Sequence, residues 1–231
     1  MSNLLRTPML VLAFTLQISN LFGQTKSEHV FSFDKYKIGA LPAVWQSFSA
    51  ISSAGKNVEC APTTAVRFEV LNEPKSKNNV IALSEHISSI YDHGHVAYPS
   101  NIKMQNGAVS ALIQAADSAK GHGGLAVRIV DYKNYYGIRY SFIEGNVMII
   151  KVKNGVASNF KKASAPDFKG RNKWVKMTVE LNDNELVVLL DDKEIIRTVD
   201  TDTLLAEGYA GFFSRGEKSL IRWDNFTITV K

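Results

Sequence analysis

The chain has 231 residues, 45% hydrophobic and 21% charged, with 15 glycines, 6 prolines and one cysteine. That balance is too apolar for disorder and too mixed for a collagen or a coiled coil, and the length suits one large β domain or two small ones with a core of their own. The formal charge of +5 is scattered along the chain, so no basic arm or stripe argues for nucleic acid, and a lone cysteine can form neither an intrachain disulfide nor a cysteine-rich zinc site.

Residues 1–23 carry one charge, Arg6, then the apolar run Met9–Leu16 and the small residue Gly23 before Gln24. This is the layout of a secretory signal peptide, which predicts a mature chain of residues 24–231, secreted or periplasmic. The apolar run is far short of the roughly 20 residues that span a bilayer. No cysteine follows it to carry a lipid, so no membrane anchor is expected. Cys60 is then a free thiol with no adjacent His, Lys or Arg to activate it. Asn225-Phe226-Thr227 matches the glycosylation sequon within a strand-like stretch.

From residue 29 onward the period is two almost everywhere. Val66, Phe68 and Val70 alternate with Arg67 and Glu69, and Val109, Ala111, Ile113 and Ala115 share a face. Leu125, Val127 and Ile129 alternate with Ala126, Arg128 and Val130, and Tyr136, Ile138, Tyr140 and Phe142 with Gly137, Arg139 and Ser141. Val175, Met177, Val179 and Leu181 repeat the pattern. Each such strand turns one face to a core and the other to solvent or a groove. Asp131–Asn134, Glu144-Gly145-Asn146, Asn154-Gly155, Asn182-Asp183-Asn184 and Asp191-Asp192 supply residues that tolerate the positive φ of tight hairpins. Asp202–Glu207 is the best candidate for a single helical turn. Short strands spaced by turns over about 200 residues predict an all-β, antiparallel two-sheet jelly-roll sandwich.

The C-terminal half carries GGLAVRIVDYKNYYGIRYSF, VMIIKVKNG, KWVKMTVELNDNELVVLLDDKEI and GYAGFFSRGEKSLIRWDNFTI in that order. Together with the opening FSFDKYKIGALPAVW, this resembles the concanavalin A-like lectin/glucanase superfamily. Within it the resemblance is to the laminin-G-like branch grouped with 3-keto-disaccharide hydrolase-like domains, and it covers roughly residues 31–230. It implies a jelly roll whose opening Phe31–Phe33 strand pairs with the last strand, around Trp223, Phe226, Ile228 and Val230. Trp174, Leu186 and Phe212 are expected packing positions.

Catalytic signals are sparse. The Glu-x-Asp-x-x-Glu motif of laminarinase-type relatives does not occur. Glu180, Asp183 and Glu185 straddle a predicted turn and cannot share a strand face. Gly211–Ser219 has Glu217 where a phosphate loop needs lysine, and reads as a turn between strands. His93 and His95, with Glu85, His86 and Asp92 nearby, offer imidazole and carboxylate ligands. Gly94 and the lack of a clear third ligand favour an exposed loop instead. Asp191-Asp192 and Asp200-Thr201-Asp202 are explained by turn chemistry as well as by a calcium site. Neither a metal nor a cofactor is expected.

The best ligand candidates surround the central hairpin. Arg128 and Arg139 are expected on its solvent-side face, with Tyr132 at the rim, where aromatic stacking and planar polar groups suit sugars. The reading is therefore an exported carbohydrate-binding sandwich with a carbohydrate or glycoside ligand. Two alternatives stand beside it. The resemblance implies a glycoside-acting hydrolase using Arg128, Arg139 and Glu144 or His95, and a laminin-G-like module would bind a protein partner.

Overall fold

The computed structural model describes residues 26–50, 60–61, 66–73, 78–86, 94–116, 122–202, 206–215 and 220–231. The predicted signal segment 1–23, His93 and residues 203–205 of the predicted Asp202–Glu207 turn lie outside the described residues. In chain order the strands are β1 (Ser27–Phe31), β2 (Trp45–Ala50), β3 (Cys60–Ala61), β4 (Val66–Asn72), β5 (Asn79–His86) and β6 (Gly94–Pro99). Next come β7 (Lys103–Met104), β8 (Gly107–Ala115), β9 (His122–Asp131), β10 (Asn134–Ser141), β11 (Asn146–Lys153) and β12 (Val156–Ser164). The last five are β13 (Val175–Asn182), β14 (Glu185–Leu190), β15 (Lys193–Val199), β16 (Gly208–Arg215) and β17 (Ile221–Val230).

These strands form two antiparallel sheets. The eight-stranded sheet runs β15-β14-β13-β8-β17-β5-β4, with β1 also on β17. The nine-stranded sheet runs β12-β11-β10-β9-β16-β6-β2-β3, with β7 also on β16. The expected pairing of first and last strands holds at Phe31, opposite Phe226, but the strand runs back to Ser27, opposite Val230, and Phe33 opens a 3-10 turn instead. The hairpin turns fall where the Asn, Asp and Gly residues predict them. Asn154, Asp183, Asp191 and Asp192 all adopt positive φ, and Asp131 Oδ1 accepts the Lys133 N–H at 2.7 Å.

The alternating residues of both sheets meet in one core. Val109, Ala111, Ile113, Val175, Met177 and Val179 face Leu125, Val127, Tyr136, Ile138 and Tyr140. At its centre Trp45 stacks on Phe212 at 5.1 Å, and Phe212 stacks on Trp223 at 5.2 Å. Each fully buried large apolar side chain of this kind contributes roughly 1.5–3 kcal/mol. Strands whose two faces are both apolar build a second layer on the far side of the nine-stranded sheet. It comprises Phe48, Val96, Tyr98, Ala126, Ile129, Tyr135, Met148, Ile150, Val152 and Phe213.

Three expectations are corrected here. His95 does not sit in an exposed loop: all of β6 is buried, and His95 shares with Ala97 the face turned to the core. Its Nδ1 lies 2.9 Å from Ser49 Oγ. Gly211–Arg215 is strand β16 rather than turn; residues 216–219 lie outside the described set. The alternation of β9 also breaks at Arg128. Tyr209 pairs with Ile129 but Gly211 with Ala126, so Val127 and Arg128 together oppose Ala210. Arg128 adopts φ 51°, and beyond it the phase inverts, sending Ile129 to the outer layer while Leu125 and Val127 stay in the core. Gly208 permits this bulge, because a Cβ there would lie 2.5 Å from the Arg128 carbonyl carbon.

Candidate functional site

On the outer face of the nine-stranded sheet, a polar row lies beside the second apolar layer. Alternation along β10 turns Gly137 and Arg139 outward, and along β9 it turns out His122, Gly124 and Ala126. Arg215 of β16 pairs with His122, and Asn146 of β11 pairs with Ser141. Arg139 pairs with Gly124 on one side and with Met148 on the other. Four neighbouring strands thus deliver Arg215, His122, Arg139 and Asn146 to one end of the face, and the β10–β11 turn adds Glu144.

Arg139 Nη2 donates to Asn146 Oδ1 at 3.3 Å and lies 3.9 Å from Glu144 Oε2, while Asn146 Nδ2 donates to Glu144 Oε2 at 2.5 Å. The Arg139 side chain is 11% exposed and that of Glu144 54%. Burial pushes the His122 imidazole down to about 4, helped by the charges of Arg139 and Arg215, so it is neutral at pH 7. The Asn146 hydrogen bond, with the Arg139 charge, holds the Glu144 carboxyl below its ordinary value. The row therefore offers a guanidinium, an amide, a neutral imidazole and one carboxylate beside a buried apolar layer edged by the half-buried Tyr132 and Tyr209. That set can donate to and accept from hydroxyl or carboxyl groups.

Tyr132, at the other end of the β9–β10 hairpin, is half-buried and packs against the outer layer, with Lys133 Nζ 5.4 Å from its ring centre. Tyr132 and Arg139 thus occupy the same sheet face. Arg128 does not join them. The bulge carries its side chain, 1% exposed, to the end of the sandwich, where Nη2 donates to the Asp183 carbonyl oxygen. There it lines a cavity of about 220 Å³ with Gln105, Asn184, Asp200, Thr201 and Asp202.

The Asp200-Thr201-Asp202 carboxylates are engaged by the protein itself. Tyr136 Oη donates to Asp200, Lys151 Nζ lies 2.5 Å from Asp200 and 2.9 Å from Asp202, and Lys153 Nζ lies 2.5 Å from Asp202. Burial opposes ionisation of Asp200, but the hydrogen bonds from Lys151, Tyr136 and the Asp202 N–H outweigh it and hold this carboxyl below its ordinary value.

His122, Asn146 and Arg215 are the residues that sequence reasoning passes over. His122 was reachable by extending the β9 alternation two residues back from Gly124. Arg215 required knowing that β16 lies beside β9.

No family model matches the chain, and no curated protein matches it. Solved structures do. A glycoside hydrolase family 16 endo-glucanase from Bacteroides ovatus has a TM-score of 0.57 at 8% identity, over 87% of this chain and 99% of that one. A beta-1,3-1,4-glucanase (lichenase) from a mouse hindgut metagenome has a TM-score of 0.54 at 12% identity, over 88% and 99%. The carbohydrate binding module CBM66 from Bacillus subtilis has a TM-score of 0.50 at 18% identity, over 73% and 93%. At such identities the common property is the fold. With its two antiparallel sheets around one core, this chain has the concanavalin A-like jelly-roll fold.

Proposed function

We propose that the chain is an exported carbohydrate-binding β-sandwich whose ligand lies along the outer face of the nine-stranded sheet. The observation that carries this reading is the juxtaposition of the Arg139–Asn146–Glu144–His122 row with the apolar layer of the same face. Sugars present hydroxyl edges and apolar ring faces together; the polar row suits the first, and the half-buried rings of Tyr132 and Tyr209 suit the second. Arg139 lies five residues along β10 from Asn134, which closes the turn carrying Tyr132, so roughly 17 Å of strand separates the two ends of the face, room for a few sugar rings. Fold neighbours that bind or cleave glycans support the ligand class.

Binding is favoured over hydrolysis because a glycosidase flanks the bond with two carboxyl groups. Among the described residues the row brings one, Glu144. Export follows from Arg6, the apolar run and Gly23. Arg128, on the far side of the bulge, supports the hairpin from the end cavity in this reading.

The test is a glycan-array screen of the protein with and without EDTA. Binding that persists in EDTA and is weakened in Arg139→Gln is expected. Binding abolished by EDTA, or a glycan consumed during incubation, would contradict the reading.

A further inference from the structure

Arg139 and His122 have a property that neutral-sugar binding does not use. The Arg139 Nε atom is buried without a hydrogen-bond partner, and so is His122 Nδ1. The two side chains stand on adjacent strands and face the same way, with Gly124 opposite Arg139 leaving the surface between them without a side chain. Arg215 pairs with His122 from the other side, close enough for its charge to act on both His122 and Arg139. Lys162, opposite Met148, acts on Glu144 from β12. Among the described residues of this patch, Arg139, Arg215 and Lys162 stand with one carboxylate, Glu144, which is half exposed and tied to Asn146 at 2.5 Å.

A buried donor without an acceptor is costly, and neighbouring arginines repel, so the patch is best satisfied by an anion that accepts from Arg139. A planar carboxylate fits a guanidinium edge, because its two oxygens take the Nε–H and a terminal N–H side by side. We infer that this patch binds the carboxylate of an acidic sugar, so that the ligand of the outer face is a uronic-acid-containing glycan. The Arg139 Nε–H and His122 lie against the carboxylate, and Arg215 supplies long-range attraction. The inference rests on the carbohydrate reading above and narrows it to one ligand class.

The experiment compares oligosaccharides of galacturonic and glucuronic acid with their carboxyl-reduced neutral counterparts by calorimetric titration of the full chain. The acidic form is expected to bind at least about tenfold more tightly, and to weaken as salt is raised. Arg139→Gln should erase that preference by weakening the acidic form more than the neutral one. Because Arg139 is largely buried, a second variant guards against misfolding. Glu144→Gln removes a competing surface carboxylate and should tighten acidic binding several-fold relative to the neutral form. Equal binding of the acidic and reduced forms, or an unchanged preference in both variants, would overturn the inference and leave the carbohydrate reading standing. No binding of any of these saccharides would overturn both.

Discussion

Trp223 Nε1 donates a hydrogen bond to the Gly124 carbonyl oxygen at 2.9 Å, joining the eight-stranded sheet to the nine-stranded sheet through the middle of the core. The acceptor belongs to the residue paired with Arg139 across β9 and β10, so the strand under the candidate site is tied directly to the opposite sheet. Trp223→Phe leaves that buried carbonyl without its donor and removes indole volume beside Phe212. We expect a loss of about 3 kcal/mol, made up of the orphaned acceptor and the packing defect. That corresponds to a fall in Tm of roughly 6–12 °C for a domain of this size. A change below about 1 kcal/mol in urea unfolding would refute the tie.

Gly124 has no room for a side chain. A Cβ there would lie 1.7 Å from the Ile138 carbonyl oxygen, which is backbone and cannot step aside. Gly124→Ala should therefore force β9 and β10 apart, costing about 3 kcal/mol or more, near the upper end for overpacking. Thermal unfolding reads the stability, and the same preparation should lose saccharide binding. Wild-type stability in this variant would mean that the hairpin register is misassigned.

Two separate pH windows follow from two groups. His122 titrates at about 4 in the folded chain against an ordinary 6.5. Between those values the unfolded chain binds the proton and the folded chain does not, so stability falls as pH drops from 6.5 to about 4. His122→Asn should flatten that part of the stability profile. Asp200 behaves differently, because its folded pKa lies below its unfolded one. Its contribution is complete above about 3.9 and disappears as pH falls further, through the folded value. Denaturant midpoints measured every half pH unit separate the two, and a profile unchanged by His122→Asn would contradict the first.

Asp200→Asn at neutral pH tests the buried cluster itself. Asp200 is 7% exposed and accepts from Tyr136 and Lys151. Breaking a buried pair usually costs about 3–5 kcal/mol because a charge is stranded. Here Lys151 keeps Asp202 at 2.9 Å, so a smaller loss of about 2 kcal/mol is expected in chemical denaturation. A neutral or stabilising result would show that Asp202 alone satisfies Lys151.

Much of this architecture was legible beforehand because alternation and turn chemistry are local. Tyr136, Ile138 and Tyr140 read as core from their spacing alone, and Asp131 and Asn134 close the predicted turn. Arg128 was misjudged because a bulge depends on the partner strand. Nothing within residues 122–131 reveals that Gly208 lies against Arg128 and gives it room to take positive φ. The outer apolar layer left a faint trace, since Ala126 and Ile129 are as apolar as Leu125 and Val127. Arg215 and His122 come together only through the order β16-β9-β10-β11, a non-local property that periodicity does not carry.

The outer face is tested most directly by mapping amide chemical-shift changes when a binding oligosaccharide is titrated into the labelled protein. The account predicts changes concentrated at His122, Arg139, Asn146 and Arg215 and extending toward Tyr132. Changes centred instead on the end cavity around Arg128, Asn184 and Thr201, with the outer face silent, would contradict it.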